Sequence, residues 1–137
     1  MQEQLVAAAK VKDYSKVKQL LPRLAGDYPA WLLYYCILDK DIKTVEAVLK
    51  RKHSKLPEIL GPAFTFACEV KSDAIGRLIL AKNFQCYNNV LFSAVTFRRH
   101  KLIPLVLQRR PTNIAECLNH ALMKGDIISS KLLRQQL

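Results

Sequence analysis

A chain of 137 residues, half of them hydrophobic, has room for one domain with a modest core and excludes two independently folded ones. Its 22 Lys and Arg against 11 Asp and Glu leave a net charge of +11, a field that attracts acidic proteins, nucleic acid or anionic lipid without choosing among them. No apolar run approaches the roughly eighteen residues of a helical membrane span, and the opening "MQEQLVAAAK" lacks the basic-then-apolar layout of a secretion signal, so an intracellular location, cytoplasmic or nuclear, is expected.

The first predicted helix pair occupies residues 1–23: Leu5 and Ala8 lie at helical spacing, Lys12 and Asp13 break the pattern, and Val17, Leu20 and Leu21 resume it. "AGDYP" leads to the second pair, 28–52, where Leu32, Leu33 and Cys36 precede "DKD" and Ile42, Val45, Val48 and Leu49 follow it. "LPEILGP" reads as the link before the third pair, 58–83, which carries Phe64 and Ala67 before its break and Ile79 and Leu80 after it. "KNFQCYNN" precedes the fourth pair, 87–110, and "RRPTN" the fifth, 112–137. Pro104 is expected to kink or delay the second helix of the fourth pair. In the fifth, Ser129, Ser130 and Arg134 replace apolar residues, which predicts a terminal unit facing water.

The five pairs are one motif repeated. Ala8, Cys36, Ala67, Ala94 and Ala121 form a column of small residues at spacings of 28, 31, 27 and 27. Three positions before them stand Leu5, Leu33, Phe64, Leu91 and Leu118; twelve after them stand Leu20, Val48, Ile79, Val106 and Leu133. The break column reads Asp13, Asp41, Ser72 and Asp126, side chains that accept hydrogen bonds from free N–H groups at a helix start, with Arg99 departing in the fourth pair. "DKD" is therefore a turn, and Asp41 caps the helix after it. A period of about 28 residues with these columns marks stacked helical hairpins, each too thin for a core of its own.

With these columns in place, the units resemble ankyrin repeats. "AAKVKDYSKVKQLL" from Ala8 and "ALMKGDIISSKLL" from Ala121 follow that family's helix-turn-helix pattern, with Gly125 at its turn glycine. Of the family's Thr-Pro-Leu-His tetrapeptide only the Leu persists; the His column reads Val6, Tyr34, Thr65, Phe92 and Asn119. The resemblance implies an all-α, ankyrin-like solenoid of five stacked helix-turn-helix units over residues 1–137, with reduced or absent β-hairpins. Divergent chains of this kind are similar to those carried by large DNA viruses and intracellular bacteria, which implies a host-interaction role. Partner contacts in the family come from inner-helix ends, which here implies Lys10, Lys12, Asp39, Lys40, Glu69, Lys71, Phe97, Arg98 and Lys124.

The residues themselves carry little chemistry beyond charge. Cys36, Cys68 and Cys117 fall in apolar columns and Cys86 in a link, so the four cysteines read as reduced structural thiols without a metal. His53, His100 and His120 are scattered, no nucleophile and base assemble, and no glycine-rich phosphate loop exists; no enzyme, cofactor or catalytic residue is expected. Lys12, Lys40, Lys71 and Arg98 form a column of cations one position before the caps, continued by Lys124 beside Gly125. Such a row complements the helix dipoles or forms a binding edge. The run Arg98, Arg99, His100 and Lys101, with few acids expected nearby, favours the edge. Trp31, Tyr34 and Tyr35 make a second candidate surface. The expected function is a protein–protein interaction module for an acidic partner. Nucleic acid is the alternative, weakened by the lack of aromatic–basic interleaving and of a reading helix.

Overall fold

The computed structural model describes residues 2–82, 84 and 87–137, whose regular structure is helical, with no strand among them. Ten helices follow in chain order: α1 Gln2–Lys10, α2 Tyr14–Leu20, α3 Trp31–Leu38, α4 Ile42–Lys50, α5 Leu56–Glu69, α6 Asp73–Leu80, α7 Tyr87–Thr96, α8 Ile103–Leu107, α9 Ile114–Met123 and α10 Ile127–Arg134. A 3-10 turn, Leu21–Arg23, extends α2. No helix among the described residues is long and apolar enough to cross a membrane.

Each odd-numbered helix packs on the even-numbered one that follows it, and on the next odd-numbered helix, from α1 to α9. On the other side α2 packs on α4, α4 on α6, and α8 on α10. The small-residue column is buried throughout, because no larger side chain fits where a helix meets both its hairpin partner and its neighbours. The Leu5, Leu33, Phe64 and Leu91 column and the Leu20, Val48, Ile79, Val106 and Leu133 column are buried with it, and together they form one continuous core.

Every hairpin turns in the same way. The amide of Asp13 donates to the Ala8 carbonyl at 2.9 Å and that of Lys12 to the Ala9 carbonyl at 3.1 Å. This pair of bonds, with a left-handed residue between, is the Schellman ending of a helix. It recurs from Asp41 and Lys40 to Cys36 and Ile37, from Ser72 and Lys71 to Ala67 and Cys68, from Arg99 and Arg98 to Ala94 and Val95, and from Asp126 and Gly125 to Ala121 and Leu122. The residue that closes this ending then starts the next helix: the side chains of Asp13, Asp41, Ser72 and Asp126 accept from the amides of Lys16, Thr44, Ile75 and Ser129.

The fourth pair lacks that cap at Arg99, and α8 begins at Ile103, with Pro104 in its first turn. Leu102, just before it, is buried and fills the space that a Cβ on Gly76 would take, 2.6 Å from its Cδ1. Thus Gly76, in a column otherwise held by Val17, Val45, Ile103 and Ser130, makes room for a helix that starts late.

Three expectations need correction. "LPEILGP" is no link but the start of α5: Pro57 stands in the first turn, where its missing N–H is harmless, and burial of Ile59, Leu60, Gly61 and Ala63 carries the helix through Pro62. Likewise Tyr87, Asn88 and Asn89 belong to α7, whereas Asn83, Gln85 and the link thiol Cys86 lie outside the described residues. Ser129 and Ser130 do not face water. Both are buried, the Ser129 hydroxyl donating to Asp126 Oδ2 at 2.6 Å and the Ser130 hydroxyl to the Asp126 carbonyl at 2.8 Å.

Candidate functional site

The cation column coincides with the left-handed position of the turns. Lys12, Lys40, Lys71 and Arg98 have φ of 61°, 55°, 63° and 55°, and Gly125 closes the column at 69°. For an L-residue with a Cβ this conformation costs roughly 1–2 kcal/mol, a strain that glycine escapes. All five positions are exposed, so no side-chain packing offsets the strain.

The four cations divide by their partners. Lys12 Nζ lies 3.4 Å from Asp39 Oδ1 in the next turn, and Asp39 also accepts from the Tyr14 hydroxyl. Burial first, and that bond second, push the Tyr14 phenol well above its ordinary range. Arg98 Nη2 donates to the Lys124 carbonyl at 3.2 Å, again reaching one turn onward. The ammonium groups of Lys40 and Lys71, by contrast, have no hydrogen-bond or ion-pair partner among the described residues.

The expectation that few acids neutralise the Arg98–Lys101 run is wrong. Arg99 Nη1 lies 3.8 Å from Asp73 Oδ1 in the preceding pair, and its Nε donates to the Phe97 carbonyl at 3.0 Å. His100 Nε2 stands 2.9 Å from Asp126 Oδ1 in the following pair. Burial raises the Asp126 pKa, but donation from the Ser129 hydroxyl and amide and from His100 outweighs it and holds the carboxyl below its ordinary value. Both contacts tie neighbouring turns together, which removes Arg99 from the free cations.

Two further cations, Arg51 after α4 and Arg109 after α8, are likewise structural. Arg51 Nη2 donates to the carbonyls of Leu24 at 2.6 Å and Gly26 at 3.0 Å, one pair back. Arg109, at the same place in the repeat, donates to Leu105 at 3.1 Å and to the last carbonyl of α6, Leu80. Their common column, fifteen positions after Cys36 and Ala94, was the sequence signal for these bonds. His53 sits edge-on to Tyr28, ring centroids 4.6 Å apart, with Nε2 2.9 Å from the Tyr28 carbonyl.

Among the other expected contacts, Lys10 and Trp31 come together with Gln2, Val6, Pro29 and Tyr35 around a 460 Å³ recess along α1 and α3. Trp31 meets Tyr35 edge-on at 5.1 Å. Tyr34 turns away from that recess and packs edge-on against Phe66 at 6.2 Å. Phe97 is half-buried against the core, Lys124 is exposed at the end of α9, and Glu69 is exposed at the end of α5.

Cys36, Cys68 and Cys117 are buried, and burial pushes the first two thiols up to about 12 and the third to about 11. They stay protonated near neutral pH and are poor nucleophiles. Among the described residues no group of His, Cys, Asp and Glu could hold a metal ion. No family model, no curated protein and no solved structure matches the chain.

Proposed function

We propose that the chain is an ankyrin-like solenoid that binds an acidic partner protein without catalysis, with Lys40 and Lys71 at the centre of the contact. The odd-to-odd and even-to-even packing of helices supports the solenoid reading, and the shared Schellman turns support five equivalent units. One observation carries the binding reading: Lys40 and Lys71 are exposed, unpaired among the described residues and held in left-handed backbone where glycine would be unstrained. Dipole complementation repays only about 0.3–1 kcal/mol of that strain at each turn. Backbone strain kept in this way accompanies function more often than stability. The recess beside Trp31 and Lys10 adds apolar surface to the same partner-facing helices.

The test is the double variant Lys40→Gly, Lys71→Gly, with a glutamate-rich peptide free of apolar residues as probe. Relief of strain should raise the melting temperature, while association at low salt slows severalfold, because rim charges mainly steer encounter. An unchanged association rate overturns the reading. Binding of unrelated DNA duplexes alike, with a log–log salt slope near −0.9 per phosphate neutralised, would replace it by nucleic-acid binding.

A further inference from the structure

The hairpin turns occupy one end of the helices and the links between pairs the other, about 13 Å away along the 9 residues of α4. The link after α4, "KRKHSK" from Lys50 to Lys55, is pinned by three of its side chains. Arg51 donates to the carbonyls of Leu24 and Gly26, and Ser54 donates through its amide and hydroxyl to the Asp27 carboxylate. His53 Nδ1 accepts from the Lys55 amide at 3.0 Å, which leaves Nε2 to donate to the Tyr28 carbonyl. All of these partners but Lys55 lie in the preceding link.

The other side chains of the link, Lys50, Lys52 and Lys55, are exposed and make no ion pair or hydrogen bond among the described residues. A bonded frame thus presents three ammonium groups to the surroundings. The same frame brings them to the preceding link, where Arg23 is exposed, and Arg109, bonded to Leu80, sets Arg110 against the end of α6, which Lys82 follows closely. The acids at this edge are committed: Ser54 engages both oxygens of Asp27, and Glu3, Glu58 and Glu116 stand in the first turns of α1, α5 and α9, where each complements its helix dipole.

None of the exposed large hydrophobic side chains among the described residues lies in these links. The apolar or aromatic anchor that carries protein–protein affinity is therefore missing around the lysines, and so is a ring on which a nucleic-acid base could stack. Arg51 and Arg109, whose guanidinium forks could grip a fixed phosphate at two points, are spent on carbonyls. What remains is a cluster of mobile point charges. It suits a dense layer of laterally mobile anions, and a bilayer with anionic headgroups is such a layer.

We propose that the link edge docks on an anionic lipid bilayer through Lys50, Lys52 and Lys55, flanked by Arg23, Lys82 and Arg110. The contact is superficial and electrostatic, since the edge exposes no large apolar side chain for insertion. Docked in this way, the chain turns its opposite edge, with Lys40 and Lys71, toward a protein partner.

Sedimentation with phosphatidylcholine vesicles, plain or about one-third phosphatidylserine, tests the proposal at about 0.1 M salt. Expected are partition onto the anionic vesicles only, release at high salt, and at least about tenfold weaker partition for Lys50→Gln, Lys52→Gln, Lys55→Gln. The variant Lys12→Gln, Lys40→Gln, Lys71→Gln removes the same charge from the opposite edge. It should weaken partition by less than about threefold, because charges more than a Debye length of roughly 10 Å from the bilayer are screened. All the lysines replaced are exposed, so both variants should melt as the parent does. The glutamate-rich peptide should still bind the first variant, so this proposal and the Lys40–Lys71 contact can fail separately. Absence of partition, equal partition onto plain vesicles, or equal losses in the two variants overturns the proposal. So does displacement from the vesicles by a short DNA duplex that the first variant no longer binds, since it would assign the edge to nucleic acid.

Discussion

The first four turns and the fifth share the same two backbone bonds but not the residue that sits between them. In the fifth, Gly125 adopts φ 69° with open space where a Cβ would point. In the others a lysine or arginine is held at 55° to 63°. Identical hydrogen bonding with unequal backbone strain separates what the turn needs from what it carries. The bonded frame needs a small buried residue, forms at Arg99 without a capping side chain, and its left-handed position tolerates a cation without requiring one.

The largest test of that common frame is overpacking. Leucine in place of Ala94 or of Ala121 should each cost about 1–3 kcal/mol in chemical denaturation, since both are buried where the turn's longest-reaching bond is accepted. Tolerance at one site alone would show that the two turns pack differently despite their bonds.

Caps come next. Asp41→Ala and Asp126→Ala should each cost about 0.5–2 kcal/mol. Each cap also holds a buried hydroxyl, Thr44 at Asp41 and Ser129 at Asp126, but the loss at Asp126 should be the greater, because His100 loses its partner as well. Asp126 also sets an acid dependence. Its folded-state pKa lies below the unfolded value, so its contribution is complete above roughly pH 4, the ordinary carboxylate range, and is lost as pH falls through the folded value. Asp126→Asn should therefore be less stable at neutral pH yet lose less on acidification, measured by urea melts across that window. A parallel loss in both proteins would assign the acid sensitivity to another carboxylate.

Much of this frame was legible in the sequence, because a period with a small residue, an apolar pair and an Asp cap leaves few ways to fold. The column values were equally readable for Arg51 and Arg109. What escaped were contacts between adjacent columns of successive pairs: Arg99 in the cap column meets Asp73 one column on and one pair back, and His100 meets Asp126 by the same offset in the other direction. A charge count along the chain misses both, since the partners are 26 residues apart. The burial of Ser129 had a local signal in its match to Thr44: each stands three residues after a capping Asp, and each hydroxyl bonds that Asp. Polarity alone pointed the wrong way, since a hydroxyl satisfied by its cap is free to be buried.

The smallest and most discriminating effect comes from exchanging residues between the turns. Gly125→Lys should fit without a clash, as nothing lies within 4 Å of the new Cβ. Only the backbone penalty then remains, roughly 1–2 kcal/mol for the left-handed conformation, offset by about 0.3–1 kcal/mol from a cation at the end of α9. A net loss near 1 kcal/mol is expected by urea denaturation. Lys40→Gly is the reverse exchange, and should gain about 0.5–1 kcal/mol once the extra freedom of glycine in the unfolded chain is counted. If the row binds acidic protein, the two variants must also move in opposite directions in association with the glutamate-rich peptide: faster for the less stable Gly125→Lys, slower for the more stable Lys40→Gly. Stability and association that rise and fall together would mean that the cations serve the helix ends, and the binding role would pass to the apolar recess beside Trp31.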